Sequence, residues 1–232
     1  MATWRDFQLD LVQTVIFTPE YAAFNAAKVL TTILTKFSDR FDGEMQVLPL
    51  PSDAPADLSR VQLKSGDERR QLTISPSRMD SIWTKPEGNL NSVVAGCADV
   101  QEEYLRSTEA RVGRIALVIN RIFAVENPAQ ELIRRFCNEP CQREPFNHSK
   151  SFEIHNHKVY SPSGSTVDYS INSWVRCKTA ELVTDKRQVI LVQQDINTVE
   201  TESYRFGSEQ ISSFFKMAIS EVDGVLKKYF PE

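Results

Sequence analysis

Two histidines, His155 and His157 in FEIHNHK, stand two residues apart. On an extended chain that spacing turns both imidazoles to one face, where they could share a metal ion. His148 lies upstream, but no carboxylate or cysteine is spaced to complete a ligand set, so the pair by itself predicts strand and no metal site. Cys137 and Cys141 in CNEPC would share a helical face, yet Pro140 interrupts them and a structural zinc site needs a second pair that the chain lacks. Ser161 to Ser165 in SPSGSTVD follow His157 without the Gly-x-Ser-x-Gly elbow of an activated nucleophile, and read as a turn. The 8 glycines never form GxxxxGK or GxGxxG, so no phosphate-cradling loop and no cofactor is expected.

The more informative polar residues sit on apolar strands. VILVQQDINT runs from Val189 to Thr198 and puts Gln193, Asp195 and Asn197 on one face, with Ile190, Val192 and Ile196 on the other. In IALVINRIF, Asn120 and Arg121 take opposite faces, Arg121 in line with Ile119 and Phe123. A buried arginine needs a partner. Asp195 is expected to be at least half buried and hydrogen-bonded to Arg121 or to a backbone N–H. Asn120, Arg121, Asp195 and Asn197 are therefore candidates either for an ion pair fixing two long strands or for a polar binding site on an open sheet face.

The elements that would carry these residues follow from periodicity. Phe7 to Phe17 alternates as a strand, and Thr18 and Pro19 predict the cap and first residue of a helix whose apolar face includes Tyr21, Phe24, Leu30, Ile33, Leu34 and Phe37. MQVLPL, RVQLKS, RQLTISP and RMDSIWT read as short strands, with GDE as a turn, and a helix follows through Leu90, Val93, Val94, Cys97, Val100 and Tyr104. From Gly113 the order restarts: a long strand, a shorter helix opened by Asn127 and Pro128, three strands (SFEIHNHKVYS, VDYSINSWVRCKTAEL, QVILVQQDINTVE), and a closing helix capped by Ser208. The expected fold is α+β: two β-α-(β)n-α halves, 1–112 and 113–232, in one compact unit with a mainly antiparallel curved sheet and helices on one face. A single helix-grip sheet around the last helix is the alternative. The order resembles the duplicated arrangement of the TATA-box-binding-protein-like fold, a likeness of element order that implies no shared activity.

VGRIALVINRIF, followed at a distance by VILVQQDINT and a terminal amphipathic helix, is similar to a sporadically distributed family of uncharacterised bacterial proteins of about this length. In that family an Asn-Arg pair on a central strand and an Asp on a late strand recur, which on this chain points to Asn120, Arg121 and Asp195. The resemblance implies mobile or accessory genes, with a role in defence among them, and no established reaction.

Composition narrows the functions further. Acidic residues outnumber basic ones, 31 to 27, with the whole excess in the first 112 residues, so no half holds a phosphate backbone by charge alone. Arg69, Arg70, Arg134, Arg135, Arg176, Lys178, Lys186 and Arg187 are candidate nucleic-acid contacts, interleaved with acidic residues. The N-terminus has no leader pattern and no stretch is apolar enough to span a bilayer, so a cytoplasmic protein with reduced cysteines is expected. The preferred reading is a non-enzymatic accessory module that binds a protein or ligand; a nucleic-acid-binding accessory protein and a metal-dependent hydrolase using His155 and His157 are the alternatives. The wide stripe of the last helix is expected either to pack entirely within the chain or to leave an apolar patch rimmed by Met217 and Phe230, available for self-association or a partner.

Overall fold

The computed structural model describes residues 2–20, 24–51, 53–162, 169–201 and 205–232. A short 3-10 turn, Trp4–Asp6, leads into β1 (Gln8–Phe17). Then come α1 (Ala26–Phe37), β2 (Met45–Val47), β3 (Val61–Lys64), β4 (Arg70–Ser75), β5 (Arg78–Thr84) and α2 (Leu90–Thr108). The chain continues through β6 (Arg114–Ala124), α3 (Pro128–Phe136), α4 (Glu139–Arg143), β7 (Glu153–Tyr160), β8 (Ile171–Glu181), β9 (Gln188–Thr198) and α5 (Ser208–Tyr229). All nine strands form one sheet in the order β2-β3-β4-β5-β1-β6-β9-β8-β7, and every pairing is antiparallel.

Strand alternation decides which side chains meet the helices. Val12, Thr14 and Ile16 of β1 pair with Ile119, Leu117 and Ile115 of β6, and the apolar members of this set join a core that includes Val29 and Ile33 of α1, Val94 and Tyr104 of α2, and Phe214 and Val222 of α5. On β8 and β9, Cys177, Ile190 and Val192 pack with Leu132 of α3 and Leu226 of α5. The helices α1, α2, α3 and α5 thus bury one face of the sheet, an arrangement driven by removing these side chains from water. The opposite face carries the other half of each alternation.

Three sequence expectations need correction. The first long helix does not begin at Thr18: its cap is Asn25, whose side chain accepts from the Lys28 N–H at 3.0 Å. Thr18 is instead buried and donates to the Pro76 carbonyl at 3.0 Å, which ties down the end of β1, while Tyr21 lies outside the described residues. α5 is capped by Gly207, so Ser208 is its first residue; the Gly207 N–H donates to Gln210 Oε1 at 2.6 Å. Phe230 is fully buried and rims no patch. Its ring packs 4.5 Å from that of Phe7 and edge-on to Phe136 at 6.1 Å, with the Arg135 guanidinium 4.9 Å away. The N-terminal turn closes over this site: the Trp4 N–H donates to the Phe230 carbonyl at 2.8 Å, while the ring packs in an apolar cluster with Phe7, Leu132 and Leu226. Met217 is partly buried against the other core, the one that holds Phe214 and Val222, with its sulfur 4.0 Å from the Tyr160 hydroxyl.

Candidate functional site

The helix-free face mixes polar and apolar side chains across its width, and Asn197, Ala116, Val15 and Asp80 near its middle are buried. One continuous row of cross-strand neighbours reads Val159, Asn172, Asn197, Ala116, Val15, Asp80, Thr73, Gln62 and Gln46, from β7 to β2. The neighbouring row begins His157, Trp174, Asp195, Val118 and Gln13. Near the middle, Phe17 lies between the guanidinium groups of Arg78 and Arg114, at 5.0 and 4.8 Å, and Arg78 also binds Asp80 through two hydrogen bonds of 2.7 Å.

At the β9 end these rows form a connected network. Asn197 Nδ2 donates to Asp195 Oδ1 at 2.9 Å, while Asn197 Oδ1 accepts from Arg114 Nη2 at 3.1 Å and from Asn172 Nδ2 at 3.2 Å. Asn172 Oδ1 lies 2.6 Å from His157 Nε2. The direction of the chain is set by chemistry. Arginine can only donate and a carboxylate accepts, so Asn197 must turn its oxygen to Arg114 and its amide nitrogen to Asp195. That orientation makes Asn172 present its own oxygen to His157, which therefore carries its proton on Nε2 and leaves Nδ1 directed elsewhere. The imidazole lies flat on Trp174, with centroids 3.7 Å apart and planes at 5°, and His155 leans on the same indole at 4.7 Å. Both histidines are exposed.

Of the residues singled out from sequence, Asn120, Asp195 and Asn197 share this face. Asn120, beside Gln193 and Leu11, leaves its Oδ1 buried without a hydrogen-bond partner. Arg121 does not join them, and Asp195 takes its hydrogen bond from Asn197 and not from Arg121. Alternation sends Arg121 to the helix side, where it donates to Gln194 Oε1 at 2.9 Å and to Asp223 of α5. Gln194 Nε2 in turn donates to the Val222 carbonyl at 3.0 Å. Burial lowers the pKa of Arg121, and Asp223 opposes that shift; an arginine keeps its charge regardless. A second polar cluster anchors the same helix, since Glu221 accepts from Lys158 at 2.7 Å, from Ser173 at 2.9 Å and from Tyr160.

The basic residues proposed for nucleic acid scatter. Arg70 faces the helices with its guanidinium 4.7 Å from Trp83, Arg134 is paired with Glu131, and Arg135 donates to the carbonyls of Ala2 and Tyr229. Arg69, Lys186 and Arg187 pair with Glu87, Glu181 and Asp185. Arg176 and Lys178 alternate with Cys177 and so do reach the open face. Of the serine run, Ser163 and Ser165 lie outside the described residues. Cys137 ends α3 and Cys141 lies within α4, both as free thiols. Among the described residues no three of His, Cys, Asp and Glu converge as a metal site, and no helix is long and apolar enough to cross a membrane.

Sequence reasoning missed Asn172, Trp174 and Arg114 as members of the open-face network, and Gln194, Asp223 and Glu221 on the helix side. Gln194 was visible in principle, because it is the polar break in the apolar alternation of residues 190, 192, 194 and 196. Asp223 and Glu221 flank the core residue Val222, which makes both candidates for inward-turned carboxylates.

No family model matches the chain, and no curated protein matches it. Among solved structures, the chain is aligned with the di-domain ARO/CYC StfQ from the steffimycin biosynthetic pathway over 95% of its own length and 97% of that chain, at 8% identity and a TM-score of 0.19. A score that low carries no inference about fold or activity.

Proposed function

We propose that the chain is a non-enzymatic accessory module that holds a protein partner on its open sheet face. The observation supporting this is the network Asp195–Asn197–Asn172–His157, which fixes side chains from three strands on a face that the helices leave uncovered. Ordering those side chains before binding removes part of the entropic cost of association. The mixed charge of the face, with Arg176 and Lys178 near Glu153 and Asp195, suits a polar protein surface better than a phosphate backbone. The order strand, helix, strands, helix on either side of the β1–β6 pairing also supports reading 1–112 and 113–232 as two related half-sheets. The accessory-gene setting implied by the sequence resemblance is compatible with a binding role.

A second reading, single-stranded nucleic acid, is favoured by one specific feature: the His157–Trp174 stack with Arg176 alongside. Photo-crosslinking separates the two. A benzophenone side chain at position 176, compared with one on the helix side at position 36, should give open-face adducts in cells that protease removes and nuclease spares. Nuclease-sensitive adducts would move the assignment to nucleic acid, and equal labelling from both positions would remove the open face as the site.

A further inference from the structure

We propose that His155 and His157 are half of a transition-metal site, completed by the same two histidines of a second copy paired along the outer edge of β7. His157 is held as metal-binding imidazoles are held. One ring nitrogen donates to an acceptor that is itself hydrogen-bonded, here Asn172 backed by Asn197 and Asp195, and the other is left to bind the ion. Its ring is fixed flat against Trp174, and His155 shares its strand face over the same indole. A polarised second shell behind an exposed imidazole is what distinguishes this pair from two surface histidines. Yet two imidazoles leave a set of four half filled, and among the described residues no further ligand converges on them.

The missing half is supplied by symmetry. β7 is the last strand of the sheet, and among the described residues no strand pairs with its outer edge. The segment His155-Asn156-His157 reads the same in both directions. If two copies pair antiparallel with Asn156 facing Asn156 of the partner subunit, both open faces stay on the same side. His155 then stands opposite His157 of the partner subunit, and His157 opposite His155 of the partner subunit. Directly opposed Cβ atoms lie about 5 Å apart and same-face neighbours along a strand about 7 Å apart, so the four imidazoles surround one rectangle within reach of a single ion above it. All-imidazole ligation suits Zn²⁺, Cu²⁺ or Ni²⁺. Without metal, Glu153, Lys158 and the histidines guard the edge against pairing, as charged side chains do on other edge strands. Dimer formation is therefore metal-dependent.

The register has its own signature. It places Glu153 opposite Val159 of the partner subunit, and Val159 is 58% exposed, so a charge can be introduced there without disturbing the core. The experiment is sedimentation equilibrium of the full chain, stripped with EDTA and titrated with zinc sulfate, alongside tryptophan fluorescence as a report on Trp174. The mass should double with a break at about one zinc per two chains. His155→Ala and His157→Ala should each abolish the doubling, and Asn172→Ala should weaken zinc affinity about 10- to 100-fold while the metal-free chain stays folded at the temperature of the titration. Val159→Glu, which sets glutamates opposite Glu153 twice, should weaken the dimer relative to Val159→Lys at equal zinc. One zinc per chain at constant mass, no binding, a dimer insensitive to the histidines, or equal behaviour of the two Val159 variants each overturns the proposal. It does not rest on the recognition reading, whose crosslinking result stands or falls separately.

Discussion

The pair Arg121–Asp223 makes an asymmetric prediction. Arg121's side chain is 8% exposed and that of Asp223 is 42% exposed, so removing one partner is not equivalent to removing the other. Asp223→Ala leaves a buried guanidinium with Gln194 as its remaining side-chain acceptor among the described residues. Stripping a partner from a fully buried pair costs roughly 3–5 kcal/mol. Because Asp223 is more than a third exposed and partly screened, the expected loss lies lower, at about 2–3 kcal/mol. Arg121→Met instead lets the Asp223 carboxylate rehydrate. What remains is Gln194 Oε1 without its donor, about 1–2 kcal/mol, offset in part by methionine's apolar chain beside Ile119 and Val192. Asp223→Ala should therefore be the more damaging change by about 1 kcal/mol, although it removes the more exposed residue. Urea unfolding monitored by tryptophan fluorescence measures both, provided the m-values match. Equal losses, or a larger loss for Arg121→Met, would refute the claim that the buried charge and not the visible bridge sets the cost.

Phe230→Ala should lose about 3–5 kcal/mol in the same assay, because its ring fills a site walled by Phe7, Phe136 and Arg135, with no change in the mass of the metal-free protein. A small loss together with a drop in mass would restore the residue to an interface. Glu103 is buried between Arg106 and Lys36, and the hydrogen bond from Arg106 chiefly holds its pKa below the usual 4.5. A depressed carboxylate stabilises above its unfolded pKa and loses that contribution as pH falls through the folded value. Glu103→Gln should thus be less stable than the parent at about pH 7 and level with it at about pH 2; a difference that persists in acid would exclude the charge as its cause. Burial pushes the thiols of Cys97 and Cys177 up to about 11 and about 12, so a disulfide reagent at neutral pH should label Cys137 and Cys141 in the folded protein and all four after denaturation. Rapid native labelling of Cys97 would contradict its burial.

The strands were legible because alternation is a local signal. FQLDLVQTVIF, RQLTISP and QVILVQQDINT each carry their faces in the order of their letters, and β1, β4 and β9 lie on those segments. The start of α1 was less legible because Thr18 and Pro19 have the composition of a helix start, and only the fold shows that the Thr18 hydroxyl is engaged by Pro76 across the sheet. Of the site, alternation put Asp195 and Asn197 on one face of β9 and set Asn120 opposite Arg121 on β6, but did not tell which of these faces coincide. The partners could not be read either. Arg121 meets Asp223 across 102 positions, and Asn197 meets Arg114 across 83, distances over which no periodicity carries information.

A carboxylate at the end of an apolar strand acquires a physical reason once both faces of β9 are followed. The inward residues, Val192, Gln194 and Ile196, serve the core, and Gln194 spends its amide on Arg121 and on the backbone of α5. The outward residues, Gln193, Asp195 and Asn197, never see those groups, so Asp195 is unavailable to Arg121 however close the two stand in the sheet. What Asp195 does is accept from the Asn197 amide, and with Arg114 on the other side of that amide it leaves a single orientation free of like-with-like contacts. Through Asn172 that orientation reaches His157 and decides which of its nitrogens carries the proton. A slip of one residue in the β8–β9 register would turn Asp195 toward α5 and Gln194 outward, breaking both networks at once. The two polar systems therefore hold the same register from opposite faces, and the exposed imidazole at the sheet edge inherits its geometry from that agreement.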